Sequence, residues 1–517
     1  VHRLTELQEK LENIDQDVVD ILSKYKLEAN SENCMVECKE ASNLIPKSMW
    51  ETYSAFANTS GGCIFLGVRE NEDKTYTVTG VSSPAKVQSD IWSILGNKNK
   101  VSLNILNDEN ISVVKDVSGK DVVIVQVPEA EDSQKPIYLN GKIDMAFVRK
   151  GEGDQKVDND LLQAMLRNAS SSVDSGMQKL YSINDIDPIS LAAFKSIVSS
   201  RYEEKNYAGL SDMQFLTEIG LFRTDRTDGL TYPTLGAILM LGKYNSIREL
   251  IPSFHLDYID YRDTVERWSD RVASDEPSLR EMNLYNFFSI VNDKLTATVK
   301  TPFSLGSDNV RIDKSLEVAL REALVNTLVH ADYLTPKEYV KIEVYKSWYS
   351  FKNPGKMLIS EAEYVCGGVS KVRNEILMKC FRLLGLSERQ GMGGKEILKA
   401  AMNLKFRRPE IKTSFFYTSL VFWKTDIVDS HTELTETAKK VFAYIINNGT
   451  SSRKDIAKAT GIPDRQIRSA LESLMACSLV NLTGKGPATR YCLHERSMEK
   501  KAQIQKGIYE LIKFLRI

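Results

Sequence analysis

Hydrophobic and polar positions divide the chain into stretches of different period. Residues 3–28 carry Leu4, Leu7, Leu11, Ile14, Val18, Ile21 and Leu22 at spacings of three and four, which predicts an amphipathic helix within 1–29. It covers about three heptads, so packing on a neighbour is expected ahead of a coiled coil. Residues 30–160 alternate short β-like runs (MVECK, GCIFLGV, TYTVTGV, VVIVQV, AFVRK) with one helical stretch at 46–57, the pattern of an α+β domain. The polar run NASSSVD at 168–174 reads as a linker. Residues 175–304 mix both periods and include a charged stretch with Arg262, Arg267 and Arg271, without a legible role. In 305–425 the helix SLEVALREALVNTLVHADY precedes strands in KIEVYKSW and SFFYTSLVFW, with a Gly-rich patch between them. Residues 434–517 read as three helices separated by turns, then LVNLT and TRYCL around a Gly-Lys-Gly-Pro turn, then a basic amphipathic helix. That is the order of a winged helix-turn-helix. The fold class is α+β multidomain, with no internal repeat and no low-complexity tract.

Composition narrows the picture further. Hydrophobic residues at 42% and charged residues at 26% match ordinary globular usage, which argues against disorder or a fibrous rod. The longest apolar run, at 235–241, is far short of the ~18–20 residues that cross a bilayer, so no transmembrane or secretory segment and no membrane partner is expected. Seven scattered cysteines lack the paired spacing of zinc sites or disulfide frameworks, and a reducing, cytoplasmic setting is expected. The net charge of −1 hides an asymmetry: 435–517 holds 15 Lys and Arg against 7 Asp and Glu. That end is electropositive and suits a polyanion.

Three constellations carry candidate chemistry. In the first, Glu37 and Lys39 share one face of a strand, because side chains alternate with period two. A second strand, GCIFLGVRE, ends at Glu70. If it lies beside the first, Glu32, Glu37 and Glu70 with Lys39 would suit Mg²⁺ or Mn²⁺ and water activation against a phosphodiester. A solvated strand face has the same pattern. In the second, Glu322, Asn326 and His330 fall at i, i+4 and i+8, along one helix face. An asparagine oxygen can ligate Mg²⁺, and a glutamate one turn away can orient a water toward a terminal phosphate. Asn353-Pro-Gly355 closes a strand downstream, and Gly391-Met-Gly393-Gly394 precedes a helical run whose first N–H groups could meet phosphate. Ordinary turns explain each glycine pair alone, and a single His330 is also compatible with a satisfied core residue. In the third, a helix starting at Pro463-Asp464 buries Ile467, Leu471 and Leu474 and turns Arg465, Gln466, Arg468 and Ser469 outward, as a major-groove helix does; Lys485 and Arg490 flank the wing. A protein-pairing surface is the alternative for this module.

The segments ECKE, KSMWETYSAFANTSGGCIFLGVRE and PIYLNGKIDMAFVRKG resemble the Schlafen AlbA-type domain over residues 30–155. The resemblance implies nucleic-acid binding and, in some members, a ribonuclease site; Glu32, Glu37 and Glu70 match its acids, with Glu70 where Asp is usual and a cysteine of ECKE where phenylalanine is common. The stretch EALVNTLVHADY and the pieces after it resemble a divergent GHKL-type ATP-binding domain, an α/β sandwich, over 305–423. That implies ATP with Mg²⁺ on Asn326, Glu322 as candidate base, adenine at Asn353 where the family has Asp, and Gly391, Gly393 and Gly394 as the phosphate lid; His330 and Gly355 count among the nucleotide contacts. ATP binding is expected ahead of rapid turnover. Two functions follow: an ATP-binding regulator of transcription that grips DNA rather than RNA, as a homo-oligomer, and a Schlafen-like metal-dependent nuclease, as in anti-phage defence. A degenerate nucleotide fold serving only as an oligomerisation scaffold is the third.

Overall fold

The chain forms two compact units, residues 1–171 and 172–517. The computed structural model describes residues 36–42, 44–72, 75–151, 153–170, 172–262, 268–276, 280–300, 314–345, 348–387, 393–404, 406–424, 428, 431, 433–484 and 489–494. The helices expected within 1–29 and 495–517 lie outside the described residues, as do Glu32, Arg267, Gly391 and Lys485.

In the first unit β1 (Val36–Lys39) leads through α1 (Ser48–Asn58) to β2 (Gly62–Leu66), which lies parallel to β1. Parallel neighbours need a crossover, and α1 supplies it. The hairpin β3 (Val68–Glu70) and β4 (Tyr76–Val78) follows, then α2 (Pro84–Leu95), β5 (Ile111–Lys115) and β6 (Asp121–Val127). The main sheet has the order β1-β2-β6-β5. Met49, Tyr53 and Phe56 of α1 pack with Ile64, Leu66 and Val125 of the sheet in one core. Two buried polar residues of α1 then pin the next hairpin, β7 (Phe147–Lys150) and β8 (Gly153–Lys156). Asn58 Nδ2 donates to the carbonyls of Ile137 (2.8 Å) and Phe147 (2.9 Å), its Oδ1 accepts the Ile137 N–H, and Ser54 Oγ accepts the Phe147 N–H. Leaving such groups unpaired would cost ~1–3 kcal/mol each. The division between the units falls at 171/172, inside the polar stretch 168–174, but that stretch is partly ordered: α3 (Asn159–Ala169) runs into it from an Asp158 cap, and Asp174 is fully buried.

The second unit opens with α4 (Pro188–Arg201), α5 (Asp212–Glu218), the hairpin β9 (Phe222–Thr224) and β10 (Thr231–Pro233), α6 (Leu235–Leu241) and α7 (Tyr244–Leu250). Then come β11 (Leu256–Asp260), β12 (Asp270–Ala273), α8 (Leu284–Lys300), α9 (Lys314–Val329), β13 (Val340–Val344), β14 (Trp348–Pro354), α10 (Glu361–Cys366), α11 (Glu375–Leu383), α12 (Gly393–Asn403), β15 (Glu410–Thr413) and β16 (Tyr417–Trp423). Six strands form one sheet in the order β12-β11-β13-β14-β16-β15. A boundary at 304/305 would cut this sheet in two. β11 and β12 come from the region expected to be a connector, β11 pairs parallel with β13, and one core joins Leu256 and Tyr258 to Ile342, Phe351 and Phe422. The alternation of β13 and β14 puts Val340, Ile342, Val344, Tyr349 and Phe351 on the buried face, where the apolar side of α9 (Leu320, Leu324, Leu328) completes the same core.

The C-terminal module has its own core, built by α13 (Glu436–Asn448), α14 (Arg453–Thr460), α15 (Asp464–Ala476) and the hairpin β17 (Val480–Thr483) and β18 (Arg490–Leu493). Ser452 caps α14, its Oγ accepting the Asp455 N–H, and Gly461 in the left-handed region ends it, as the sequence signals require.

Candidate functional site

α9 carries Glu322 and Asn326, His330 follows its last residue, and its C-terminal end is held with unusual completeness. Helix ends leave carbonyls without intrahelical partners. Here four consecutive ones are met by side chains: Leu328 O by Tyr333 Oη (2.7 Å), Val329 O and Ala331 O by Asn374 Nδ2 (2.8 Å each), and His330 O by Arg373 Nε (3.0 Å). Arg373, only 2% exposed, also donates to Lys356 O at 2.8 Å. The residues just before α11 thereby fix both the end of α9 and the start of the segment after β14.

Beside α9 lies a cleft of about 990 Å³, including its open mouth. Glu322, Asn326, His330, Asn353, Gly393 and Gly394 all line it, so six expected contacts from three separated stretches converge there. Gly355 does not line it; it packs against Asp332 and the Arg373 guanidinium. Asn353 donates Nδ2 to the carbonyl of Pro354 (2.9 Å), which leaves Oδ1 as acceptor. Burial, aided by the Arg373 charge, pushes His330 down to about 4, so it is a neutral imidazole at pH 7. Burial and the nearby Glu322 carboxylate raise the Tyr364 phenol well above its usual range. The two glycines permit close approach. A Cβ on Gly393 would collide with the Glu322 carboxylate and come within 2.9 Å of Asn326 Nδ2, and one on Gly394 would lie 2.6 Å from Tyr364 O. Sequence reasoning missed Lys356, Ser370 and Lys371, which add two cations and a hydroxyl to the lining. The run GGVSK at 367–371 was the available signal.

In the first unit Glu37 and Lys39 meet as the strand period requires, Nζ to Oε1 at 2.7 Å. The other carboxylate oxygen of Glu37 is taken by Arg149, at 2.8 Å, and Arg149 continues to Asp154 (2.7 Å), which accepts from Thr52 Oγ1 (2.6 Å). The guanidinium also lies over the Phe56 ring, 5.3 Å from its centroid. Burial opposes the Arg149 charge, but the bonds and charges of Asp154 and Glu37 more than offset this and hold its pKa above the usual value. β1 does lie beside β2, but the chain turns at Gly67, and Glu70 stands exposed at the end of β3, in a hairpin with β4 whose Val68 and Val78 are buried. Among the described residues no group of three His, Cys, Asp or Glu side chains is arranged to hold a metal ion. Arg149 and Asp154 were in reach of the sequence, within AFVRKGEGD, but only the fold brings them to Glu37.

In the C-terminal module Ile467, Leu471 and Leu474 are buried, while Arg465, Gln466, Arg468 and Ser469 are exposed on the opposite face of α15. Arg468 makes an i,i+4 pair with Glu472 at 3.2 Å, and Arg490 stands exposed at the start of β18. Comparison with known families matches residues 32–158 to the model "Schlafen, AlbA_2" and 430–497 to "Sugar-specific transcriptional regulator TrmB". A Schlafen AlbA_2 domain and a TrmB-type winged helix are present. Residues 337–422, from β13 through α10–α12 to β16 but without α9, match "Putative ATP-dependent DNA helicase recG C-terminal", and 163–257 match a domain of unknown function, DUF8451. No curated protein matches the chain as a relative. Among solved structures, the DIP2311 protein from Corynebacterium diphtheriae is similar at 15% identity over 89% of this chain and 94% of that one, with a TM-score of 0.40.

The AlbA_2 match takes in the whole Glu37–Arg149–Asp154 network, and the TrmB match takes in α14, α15 and the wing hairpin. Nucleic acid is the common ligand class these two domains suggest, and the cleft belongs to an ATPase-like domain. Among the described residues no helix is long and apolar enough to cross a membrane.

Proposed function

We propose that the protein is an ATP-binding, nucleic-acid-binding regulator of transcription in which nucleotide occupancy of the α9 cleft biases the arrangement of the domains. The observation that carries this reading is the convergence of Glu322, Asn326, His330, Asn353 and two lysines on one cleft. The donor set fits a GHKL-type nucleotide site. Asn353 Oδ1 can accept from the adenine amino group, and the Asn326 oxygen with Glu322 nearby can hold Mg²⁺ or Mn²⁺ against the phosphates. Coupling has a physical route: Val173, in the segment that follows the AlbA_2 unit, donates to Arg373 O (3.3 Å), and Asp174 accepts the N–H groups of Ile376 (3.2 Å) and Leu377 (2.8 Å). These partners directly follow Lys371 on the cleft wall, so a shift there pulls on the chain leading to the AlbA_2 domain. The winged helix would grip DNA through Arg465, Gln466, Arg468 and Ser469, in a cytoplasmic homo-oligomer whose symmetry matches paired half-sites.

The test is DNA affinity of the full chain, measured with and without ATP and Mg²⁺, beside Asn326→Ala. ATP should change the affinity of the wild type severalfold and leave the variant unmoved. Equal DNA affinity at saturating, calorimetrically verified ATP would refute the coupling. The nuclease reading is less favoured, because both oxygens of Glu37 already hold cations.

A further inference from the structure

One wall of the cleft is a loop that the family motifs pass over. α10 ends at Gly367, and Gly367 and Gly368 both take left-handed backbone, with φ of 69° and 86°. Only glycine adopts two such residues in succession at little cost. The pair turns the chain so that Val369, Ser370 and Lys371 line the cleft, and a Cβ on Gly368 would meet nothing within 4 Å. Beyond Lys371 the chain is fixed, since Arg373 and Asn374 are buried and bonded to the end of α9. Lys356 lines the cleft as well, and its carbonyl is held by the same Arg373 guanidinium. The glycine pair at the start of α12 is closely packed on its Cα side, where an added Cβ would meet Glu322 and Asn326 at Gly393 and Tyr364 at Gly394.

We infer that Lys371, Ser370 and Lys356, on the wall of the cleft, hold the polyphosphate of a bound nucleoside triphosphate. This rests on the nucleotide reading of the cleft. Two ammonium groups and a hydroxyl match the several negative charges of a triphosphate, and charge-assisted hydrogen bonds are about twice as strong as neutral ones. The Ser370 and Lys371 side chains are exposed, so removing them leaves the core intact.

The experiment is calorimetric titration of the full chain with ATP, ADP and adenosine in Mg²⁺, for wild type, Lys371→Ala, Lys371→Arg and Lys356→Ala. Lys371→Ala should weaken ATP about tenfold or more, ADP less, and adenosine not at all, while Lys371→Arg keeps most of the ATP affinity. Lys356→Ala should repeat the ATP-selective loss. ATP affinity unchanged in both alanine variants, or lost in step with adenosine, overturns the inference and leaves the nucleotide reading standing. A wild type that binds neither ATP nor adenosine overturns both.

Discussion

Asn374 supports the whole cleft from behind, which makes its removal a sharp test. Its Nδ2 gives one hydrogen to Val329 O and the other to Ala331 O, each at 2.8 Å, and the side chain is 2% exposed. Asn374→Ala strips both donors and leaves two buried carbonyls facing a small void. At ~1–3 kcal/mol for each unmet group the loss is about 2–6 kcal/mol, and a water entering the void would bring it near ~3 kcal/mol. Because the bonds close the last turn of α9, the loss should appear first as local opening there. Hydrogen exchange read by mass spectrometry on peptides covering 322–333 should show protection falling about 100-fold, the equivalent of ~3 kcal/mol, with amides in the AlbA_2 unit unchanged. ATP affinity should fall in parallel. Asn374→Asp should be worse at neutral pH, since it sets a carboxylate against two carbonyls, and should partly recover in acid as the carboxyl regains a proton to donate. A change in protection below threefold would refute the argument that these bonds hold the helix end.

Three further outcomes follow from the same geometry. His330 titrates at about 4 in the folded chain and near ~6.5 unfolded, so the unfolded chain binds the extra proton between those values; stability should be level above pH 6.5 and fall by about 1.4 kcal/mol per unit as pH drops toward 4. Denaturation midpoints at pH 7 and 5 check this, and His330→Asn should flatten that part of the profile. Gly394→Ala would set a Cβ 2.6 Å from the backbone oxygen of Tyr364, which cannot step aside, so overpacking of ~1–3 kcal/mol should exceed the helix gain of ~1 kcal/mol and lower the melting temperature. Arg465→Ala with Arg468→Ala should weaken DNA binding and reduce the slope of log affinity against log salt by roughly two; an unchanged slope would move the DNA contact off α15.

Much of the winged helix was legible along the chain, because its signals are local: a Ser cap, a left-handed Gly461, a period of 3.6 over Ile467, Leu471 and Leu474, and a Gly-rich turn between strands. The stripe of Glu322, Asn326 and His330 was equally legible, since helix geometry alone stacks i, i+4 and i+8. The same local logic put Glu37 beside Lys39. It failed where the deciding partner was distant. The connector at 175–304 was misjudged because a strand such as LDYID declares its sheet only through parallel pairing with 340–344, some eighty residues on. The polar run at 168–174 does hold the division between the units, but its composition did not show that Asp174 is buried, accepting the N–H groups of Ile376 and Leu377 two hundred residues away.

The amino-acid order by itself determined the elements, their apolar faces and the list of polar residues left over, because propensity, capping and period act within a few residues. What each leftover residue does was decided by tertiary structure. Strand period set Glu37 beside Lys39, but only the β7–β8 hairpin brings Arg149 to the second Glu37 oxygen. Gly393 and Gly394 reach the cleft only because α12 packs closely against Glu322, Asn326 and Tyr364, and Lys371 lines it only because two left-handed glycines turn its loop. Charge neutralisation and steric exclusion depend on distances between atoms far apart in the chain, and those distances exist only after folding.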